Sequence, residues 1–200
     1  MILRAHERAT RAAMPSIIQA QGGRPAAREN FMNTTPLLAS LFGYKAWANE
    51  ELLAQMRSLD AQAHGEHLHA ALRTLNHTFV VDRIFAAHLT GAQHDYAATN
   101  TNDTPGLDEL QSALARSDRW YVDYVAGLTP AELAQHVRFT FTDGLAGRMS
   151  REEILAHLIT HGGYHRGAIG RILLQASVPP PRDTYTVFLH RTQPERRSAG

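Results

Sequence analysis

The stretch HLITHGGYHRGAIGRIL, residues 157–173, combines three histidines with apolar residues at helical spacing. Residues four positions apart lie on one face of a helix, so His161 and His165 share a face with Ile154 and Leu158. A pair of imidazoles at this spacing can bind one divalent metal ion. The pattern therefore predicts a helix that directs two metal ligands from its apolar face into the interior of the fold.

A second helical pattern carries His77 on the stripe that also holds Val81 and Ile84, so His77 too is expected to face the core. Two facing helices can bring their imidazoles to one point, and three nitrogen ligands leave a coordination position for water or substrate. Such an open position distinguishes a catalytic metal site from a structural one. The alternative is that the histidines are ordinary core residues.

Five further histidines are placed by the same patterns. His157 and His88 lie near the inner faces of the two helices and are candidates for a partner or a substitute of a metal ligand. His64, His67 and His69 lie in or near the connection before the second helix, where solvated side chains are expected. No catalytic residue is assigned from the sequence.

Several familiar catalytic motifs are absent. HGGYH has the histidine spacing of a zinc-protease helix, but Gly162 stands where the general-base glutamate should be. No P-loop, nucleophile elbow or dinucleotide-binding fingerprint is found. The chain has no cysteine, which excludes a disulfide, a zinc–thiolate site and a cysteine nucleophile. Any metal ion must therefore be bound through nitrogen or oxygen.

Composition indicates one domain, since 200 residues with 44% hydrophobic side chains can bury a sizeable core. The formal charge of +1 argues against a broad nucleic-acid surface, and no apolar run reaches the roughly 20 residues of a membrane span. We expect a cytoplasmic protein that binds neither nucleic acid nor membrane. Residues 1–31, rich in arginine, are expected to be a disordered extension; a transit peptide and a misassigned start are the alternatives.

Four long helical patterns predict an all-α fold over residues 32–190, followed by a mobile tail over residues 191–200. Thr35 is expected to cap the first helix, with Pro36 at its first position. The turn-rich segment AATNTNDTPG is typical of a crossover between bundle helices. The four patterns cover about 36–58, 67–90, 106–126 and 151–176.

Shorter elements are predicted around the last long helix. LTPAEL, residues 128–133, has the signals of a short capped helix. VRFTFTDGLAGRM then alternates with a period of two around Asp143-Gly144, which predicts a small β-hairpin insert. Ser150 opens the last helix with a capping box, and TYTVFLH, residues 184–190, predicts a short extended segment. Three glycines on the back of the last helix are expected to let that C-terminal strand approach closely: Gly163, Gly167 and Gly170.

Three segments together resemble the DinB/YfiT-like family: YKAWANEELL, NHTFVVDRIFAAHL and HLITHGGYHRGAIGRIL, in the family's order and separation. The resemblance covers nearly all of residues 32–190. It implies an up-down-down-up four-helix bundle, often dimeric, that binds a divalent metal through His77, His161 and His165. Family members commonly continue HRGQ, whereas this chain has Ala168 in place of the glutamine, so no polar role is expected there.

The resemblance implies a divalent-metal-binding protein and, more specifically, a metal-dependent enzyme of the thiol S-transferase type. Such an enzyme would use a low-molecular-weight thiol and a small-molecule substrate, and would form a homodimer. Three imidazoles suit zinc, nickel, iron or cobalt, and manganese is also considered. The alternatives are a non-catalytic metal-binding stress or damage-inducible protein, a metal-dependent hydrolase, and a partner-binding bundle whose histidines are merely buried.

Two charged residues near the predicted ligands are also of interest. Arg166 follows His165 and is a candidate to bind the carboxylate of an anionic thiol cofactor; a solvated or interface arginine is the alternative. Asp82 lies about 140° around the helix from His77 at ~100° per residue. A surface or inter-helix ion pair is therefore expected for Asp82, with Arg83 or Arg166 as candidate partners.

Overall fold

The computed structural model describes residues 33–197, and the predicted extension over residues 1–31 lies outside them. Four long helices dominate the described residues, so the predicted all-α fold is confirmed. No helix in this part of the chain is long and apolar enough to cross a membrane. The long helices are α1 (Thr35–Arg57), α2 (Gly65–Thr90), α3 (Leu107–Ala126) and, after the short α4 (Pro130–Leu133), α5 (Arg151–Gln175).

Two clusters of buried apolar side chains show in which direction each helix runs. One cluster joins Phe42, early in α1, and Leu158, early in α5, to Phe85 and Val125 near the ends of α2 and α3. The other joins the ends of α1 and α5 to the beginnings of α2 and α3. The helices therefore run up-down-down-up. Since α1 and α2 each pack against α3 and α5, they occupy opposite corners of the bundle.

The connection between α2 and α3 must return along the bundle because these two helices run in the same direction. Gly91 ends α2 in the left-handed conformation, with φ of 71°, as expected of a C-terminal glycine. The chain then passes back beside α2, where the Asn100 side chain donates to the carbonyl oxygen of Arg73 at 3.0 Å. Asn76 Nδ2 donates to Asn100 Oδ1 at 2.5 Å. These bonds fix the connection against the first half of α2.

The predicted hairpin is present as β1 (His136–Thr140) and β2 (Ala146–Ser150), paired antiparallel with Arg138 opposite Arg148. Gly144 has φ of +87° in the turn, which favours glycine. Gly147 lies against the Phe139 ring so closely that a Cβ there would be 2.5 Å from it. The absence of a side chain at Gly147 therefore leaves room for the Phe139 ring against β2.

Both predicted capping boxes are present, at the beginnings of α4 and α5. The predicted cap of α1 is wrong by one position, because Thr35 is helical and Thr34 precedes the helix. The Thr34 hydroxyl makes no capping bond and donates instead to Glu152 Oε1 at 2.5 Å. A contact with α5 has replaced the local cap.

The predicted extended segment at residues 184–190 is wrong, because these residues belong mainly to the helix α6 (Tyr185–Thr192). Tyr185 and Phe188, one helical turn apart, pack against Tyr44 of α1 with ring centroids 5.6 Å and 6.1 Å away. This contact favours a helical period of three to four, which seven residues of sequence could not distinguish from alternation. Beyond α6, a 3-10 turn spans Pro194–Arg196.

The back of α5 consequently meets a different segment from the strand that was expected. Gly170 faces Pro180, whose side chain would lie 3.2 Å from a Cβ at that position. Gly167 has no such neighbour, and a Cβ on Gly163 would meet only the Arg166 side chain. Close packing therefore explains one of the three glycines on this face. The buried Gly162 also has a packing reason, since a Cβ there would lie 3.2 Å from Arg166 and 3.5 Å from Lys45.

Candidate metal centre

Helices α2 and α5 bring three imidazoles together at one point. His77 comes from α2, and His161 and His165 come from successive turns of α5. One nitrogen of each ring lies within 4.8 Å of the corresponding nitrogens of the other two. The Nε2 atoms of His77 and His161 are 3.1 Å apart. The structure thus assembles the three residues that the sequence proposed as ligands.

A backbone carbonyl orients the ring of His77. Its Nδ1 lies 2.7 Å from the oxygen of Thr99, in the connection between α2 and α3. Because a carbonyl can only accept, Nδ1 carries the proton and Nε2 directs a lone pair toward His161. Metal-binding histidines are commonly oriented in this way. Nothing in the sequence around Thr99 indicated this role, since it depends on how the connection returns along α2.

Electrostatics favour the neutral form of the α5 histidines. Burial, together with the neighbouring imidazoles of His165 and His77, lowers the pKa of His161 to about 3. Burial also lowers the pKa of His165. The Nδ1 atom of His161 is buried without a hydrogen-bond partner among the described residues. Neutral imidazole is the form that binds a metal.

The three residues therefore fit a divalent cation. Their donor atoms are all nitrogen, and imidazole binds zinc at ~2.0–2.1 Å and also suits nickel, copper and iron. A ring whose other nitrogen is held by a backbone carbonyl, as that of His77 is, is a feature of a prepared site. This group could hold a metal ion.

The remaining candidate histidines lie outside this group. The His157 ring is 5.2 Å from that of His161 by centroids and contacts Phe85. His88 is farther along α2 and stacks on Phe139. His64 and His67 lie beside each other at the beginning of α2, and His69 is exposed. His157 is therefore the one that borders the candidate ligands.

The three histidines do not lie where the sequence predicted them, in the middle of the buried faces of α2 and α5. His77, His161 and His165 are only partly buried. The most buried side of α2 instead includes Leu75 and Asp82, about 140° or more around the helix from His77 at ~100° per residue. The candidate centre therefore lies at the edge of the bundle where α2 meets α5, with its three rings partly exposed.

A buried ion network occupies the interior where the metal site was expected. Lys45 Nζ donates to Asp82 Oδ2 at 2.6 Å and to Asp118 Oδ1 at 2.8 Å. Asn49 Nδ2 donates to the other oxygen of Asp118 at 2.8 Å. The predicted ion pair of Asp82 is thus confirmed as inter-helix, but its partner is Lys45 and neither Arg83 nor Arg166.

Sequence analysis missed Lys45, Asn49 and Asp118. A signal was available for two of them, because Lys45 and Asn49 lie at helical spacing with the buried Phe42 and Leu52 of α1. Polar residues on an apolar stripe indicate either a bend in the stripe or a buried partner. Only the neighbouring helices reveal which of these applies.

The structure places Arg166 on the side of α5 that faces α1. Its guanidinium is buried and donates from Nε to Asp183 Oδ2 at 2.7 Å, and it also lies over the Tyr44 ring. Tyr44 donates a hydrogen bond to the other oxygen of Asp183. Arg166 thus anchors the segment before α6, and a contact with a cofactor carboxylate stays a prediction.

Fold and site together define a class of protein: a helical bundle with a histidine group that could hold a metal. The DinB family profile matches residues 32–197, so the chain belongs to the DinB family. The chain is 20% identical over 169 residues to Protein DinB of Bacillus subtilis (strain 168), covering 78% of this chain and 95% of that protein. No solved structure matches the chain significantly.

Proposed function

We propose that this protein is a metal-dependent enzyme of the thiol S-transferase type, with His77, His161 and His165 as the ligands of one divalent ion. The observation that carries the proposal is the convergence of three partly exposed imidazoles, one nitrogen of each within 4.8 Å of the others. Three protein ligands leave a coordination position for a further group, as in catalytic sites. Family membership is consistent with a metal-binding protein.

A divalent ion bound by three neutral imidazoles keeps its charge and lowers the pKa of a coordinated thiol or water toward neutrality. The chain supplies the conditions for this chemistry. Thr99 holds the His77 ring in the required tautomer. Burial lowers the pKa of His161 to about 3, which favours the uncharged ring. The partly exposed rings leave a side from which a thiol could approach.

The first test is metal content. Protein without an affinity tag would be reconstituted separately with zinc, nickel, manganese, iron and cobalt, dialysed and subjected to elemental analysis. We expect about one ion per chain for at least one metal, and its loss in His161→Ala. His69→Ala is the matched control, because His69 is exposed and outside the group. No retained metal in the wild type would refute the site.

The second test is thiol transfer. The loaded protein would be given a panel of small thiols with 1-chloro-2,4-dinitrobenzene, in which the new S–C bond forms as chloride leaves and the thiol proton goes to solvent. We expect turnover above background that falls at least about a hundredfold in His165→Ala. Metal binding with hydrolysis of p-nitrophenyl acetate but no thiol transfer would favour the hydrolase. Metal binding without either activity would favour the non-catalytic protein.

The proposal includes a homodimer in the cytoplasm that acts on a small molecule and binds neither nucleic acid nor membrane. The dimer rests on the family resemblance, and sedimentation equilibrium would test it with a mass of two chains as the expected result. A monomer at micromolar concentration would contradict the dimer without affecting the metal site.

A further inference from the structure

A row of rings continues from the candidate metal centre along the edge where α2 meets α5. The His157 ring follows that of His161 at a centroid distance of 5.2 Å. Phe85 of α2 lies 5.4 Å from His157 and 5.5 Å from Phe139 of the hairpin. The row of rings from the three histidines to β1 is therefore almost continuous, with Phe85 and Phe139 buried in the core beneath the surface.

The row ends in a stacked pair of rings beside an open cavity. His88 lies nearly parallel to Phe139, with centroids 4.9 Å apart and an angle of 21° between the planes. The cavity beside His88 has a volume of about 410 Å³ and is bounded by His94 and Tyr96 on one side and Phe141 on the other. Phe141 is 44% exposed, so its ring is accessible from the cavity that it lines. A cavity of this volume suits a small organic molecule.

The polar lining of the cavity consists of histidine, tyrosine, threonine and glutamine side chains. None of its described lining residues is Asp, Glu, Lys or Arg. Burial and the neighbouring His94 lower the pKa of His88, which favours the neutral form of that ring. The Nδ1 atom of His94 is buried and has no hydrogen-bond partner among the residues described. A ligand with one polar group could satisfy this nitrogen.

We propose that this cavity binds the flat, uncharged aromatic end of an elongated substrate, with a hydrogen bond between one polar group of that end and His94 Nδ1. Aromatic rings attract a flat ring by offset stacking and edge contacts, which a puckered saturated ring cannot reproduce. The other end of the substrate then extends past His157 toward the three histidines. This last step rests on the proposed function, whereas binding in the cavity does not require the metal.

The test uses 2-naphthol as the probe, with its fluorescence followed during titration of the full chain in metal-free and zinc-loaded forms. We expect saturable binding to both forms. Decahydro-2-naphthol, which has the same skeleton without the flat rings, should compete about tenfold more weakly. Equal competition by the saturated analogue would overturn the proposal, and this comparison needs only the wild-type protein.

Two variants locate the binding. Phe141→Ala should weaken 2-naphthol binding at least about fivefold through loss of a ring contact. Leu145→Ala is its control, because Leu145 is 66% exposed on the same hairpin and does not line the cavity. His94→Phe should bind naphthalene as well as the wild type does but lose the preference for 2-naphthol. Unchanged affinity in Phe141→Ala, or an unchanged preference in His94→Phe, would refute the assignment.

Failure of this inference is distinguishable from failure of the proposed function. Binding to metal-free protein is measured without turnover, so absent thiol transfer leaves the titration unaffected. Conversely, thiol transfer that survives Phe141→Ala with an unchanged KM for an aromatic electrophile would support the enzyme while contradicting the cavity as its substrate site.

Discussion

The side-chain nitrogen of Lys45 lies 2.6 Å from Oδ2 of Asp82, and only 1% of each residue is exposed. This ion pair joins α1 to α2, which occupy opposite corners of the bundle. Asp118 of α3 accepts a second hydrogen bond from the same nitrogen. One lysine thus connects three helices between the two apolar clusters.

Lys45→Met should destabilise the protein strongly. The variant would leave two carboxylates buried without their cation, and breaking a buried ion pair from one side costs about 3–5 kcal/mol. Urea unfolding would measure the loss. Arg57→Ala is the control, because the Arg57–Asp108 pair is exposed and such pairs contribute about 0–1 kcal/mol. A loss below about 1 kcal/mol in Lys45→Met would show that the network does not hold the helices together.

Stability should depend on pH through Asp82. Burial raises the pKa of this carboxyl from its ordinary 3.8 to about 6. The folded state therefore holds this proton more tightly than the unfolded state. The contribution of Asp82 to the free energy of unfolding consequently falls as pH rises from the lower to the higher of these pKa values. The unfolding free energy of the wild type minus that of Asp82→Asn should decrease over this interval in urea titrations.

Glu153 gives the control of opposite sign. The backbone N–H of Ser150 donates to its carboxylate and, with the Ser150 side chain, lowers the pKa of Glu153. Glu153 should therefore contribute to the stability of the fold above the ordinary carboxyl pKa, and this contribution should be lost as pH falls. If the difference in unfolding free energy between wild type and variant changed with pH in the same direction for Asp82→Asn and Glu153→Gln, the assignment to Asp82 would be contradicted.

Asn100→Ala should weaken zinc binding although Asn100 is not a candidate ligand. Its side chain fixes the connection that carries Thr99, which in turn orients His77. Loss of such support typically reduces metal affinity about 10–100-fold. Competition with a chromogenic chelator would measure the affinity. Ser112→Ala, whose exposed hydroxyl bonds within α3, should leave the affinity unchanged, and an unchanged value in Asn100→Ala would argue against the role of the connection.

Asp183→Ala should lower the free energy of unfolding without changing zinc affinity. The variant leaves the buried Arg166 guanidinium without its carboxylate, and a one-sided loss of this kind costs up to about 3 kcal/mol at a partly exposed pair. Calorimetry and the chelator assay would measure the two quantities. If Arg166 instead binds a thiol carboxylate, freeing it from Asp183 should lower the KM for carboxylate-bearing thiols.

Local patterns determined the long helices, both capping boxes and the hairpin, because each of these depends on residues within a few positions of one another. The i and i+4 spacing of His161 and His165 fixed their common face for the same reason. The helical stripe that holds Val81 and Ile84 added His77, the likeness of three short segments to the DinB family implies the same three residues, and the fold places them together.

The tertiary structure decided which side of each helix is buried. Helical spacing places His77 and His161 in the middle of the apolar faces if Asp82 and Arg166, as charged residues, face outward. In the structure Asp82 and Arg166 are buried, so the two histidines lie at the edges of these faces. Lys45 and Asp183 neutralise the two charged residues inside the fold. Lys45 lies 37 residues from Asp82, and Asp183 lies 17 residues from Arg166. The helical conformation of α6 likewise depends on a distant residue, Tyr44. Such distant pairing leaves no signal in local periodicity, so the exposed edge at which the three histidines meet and the carbonyl of Thr99 that orients His77 depend on how the helices pack.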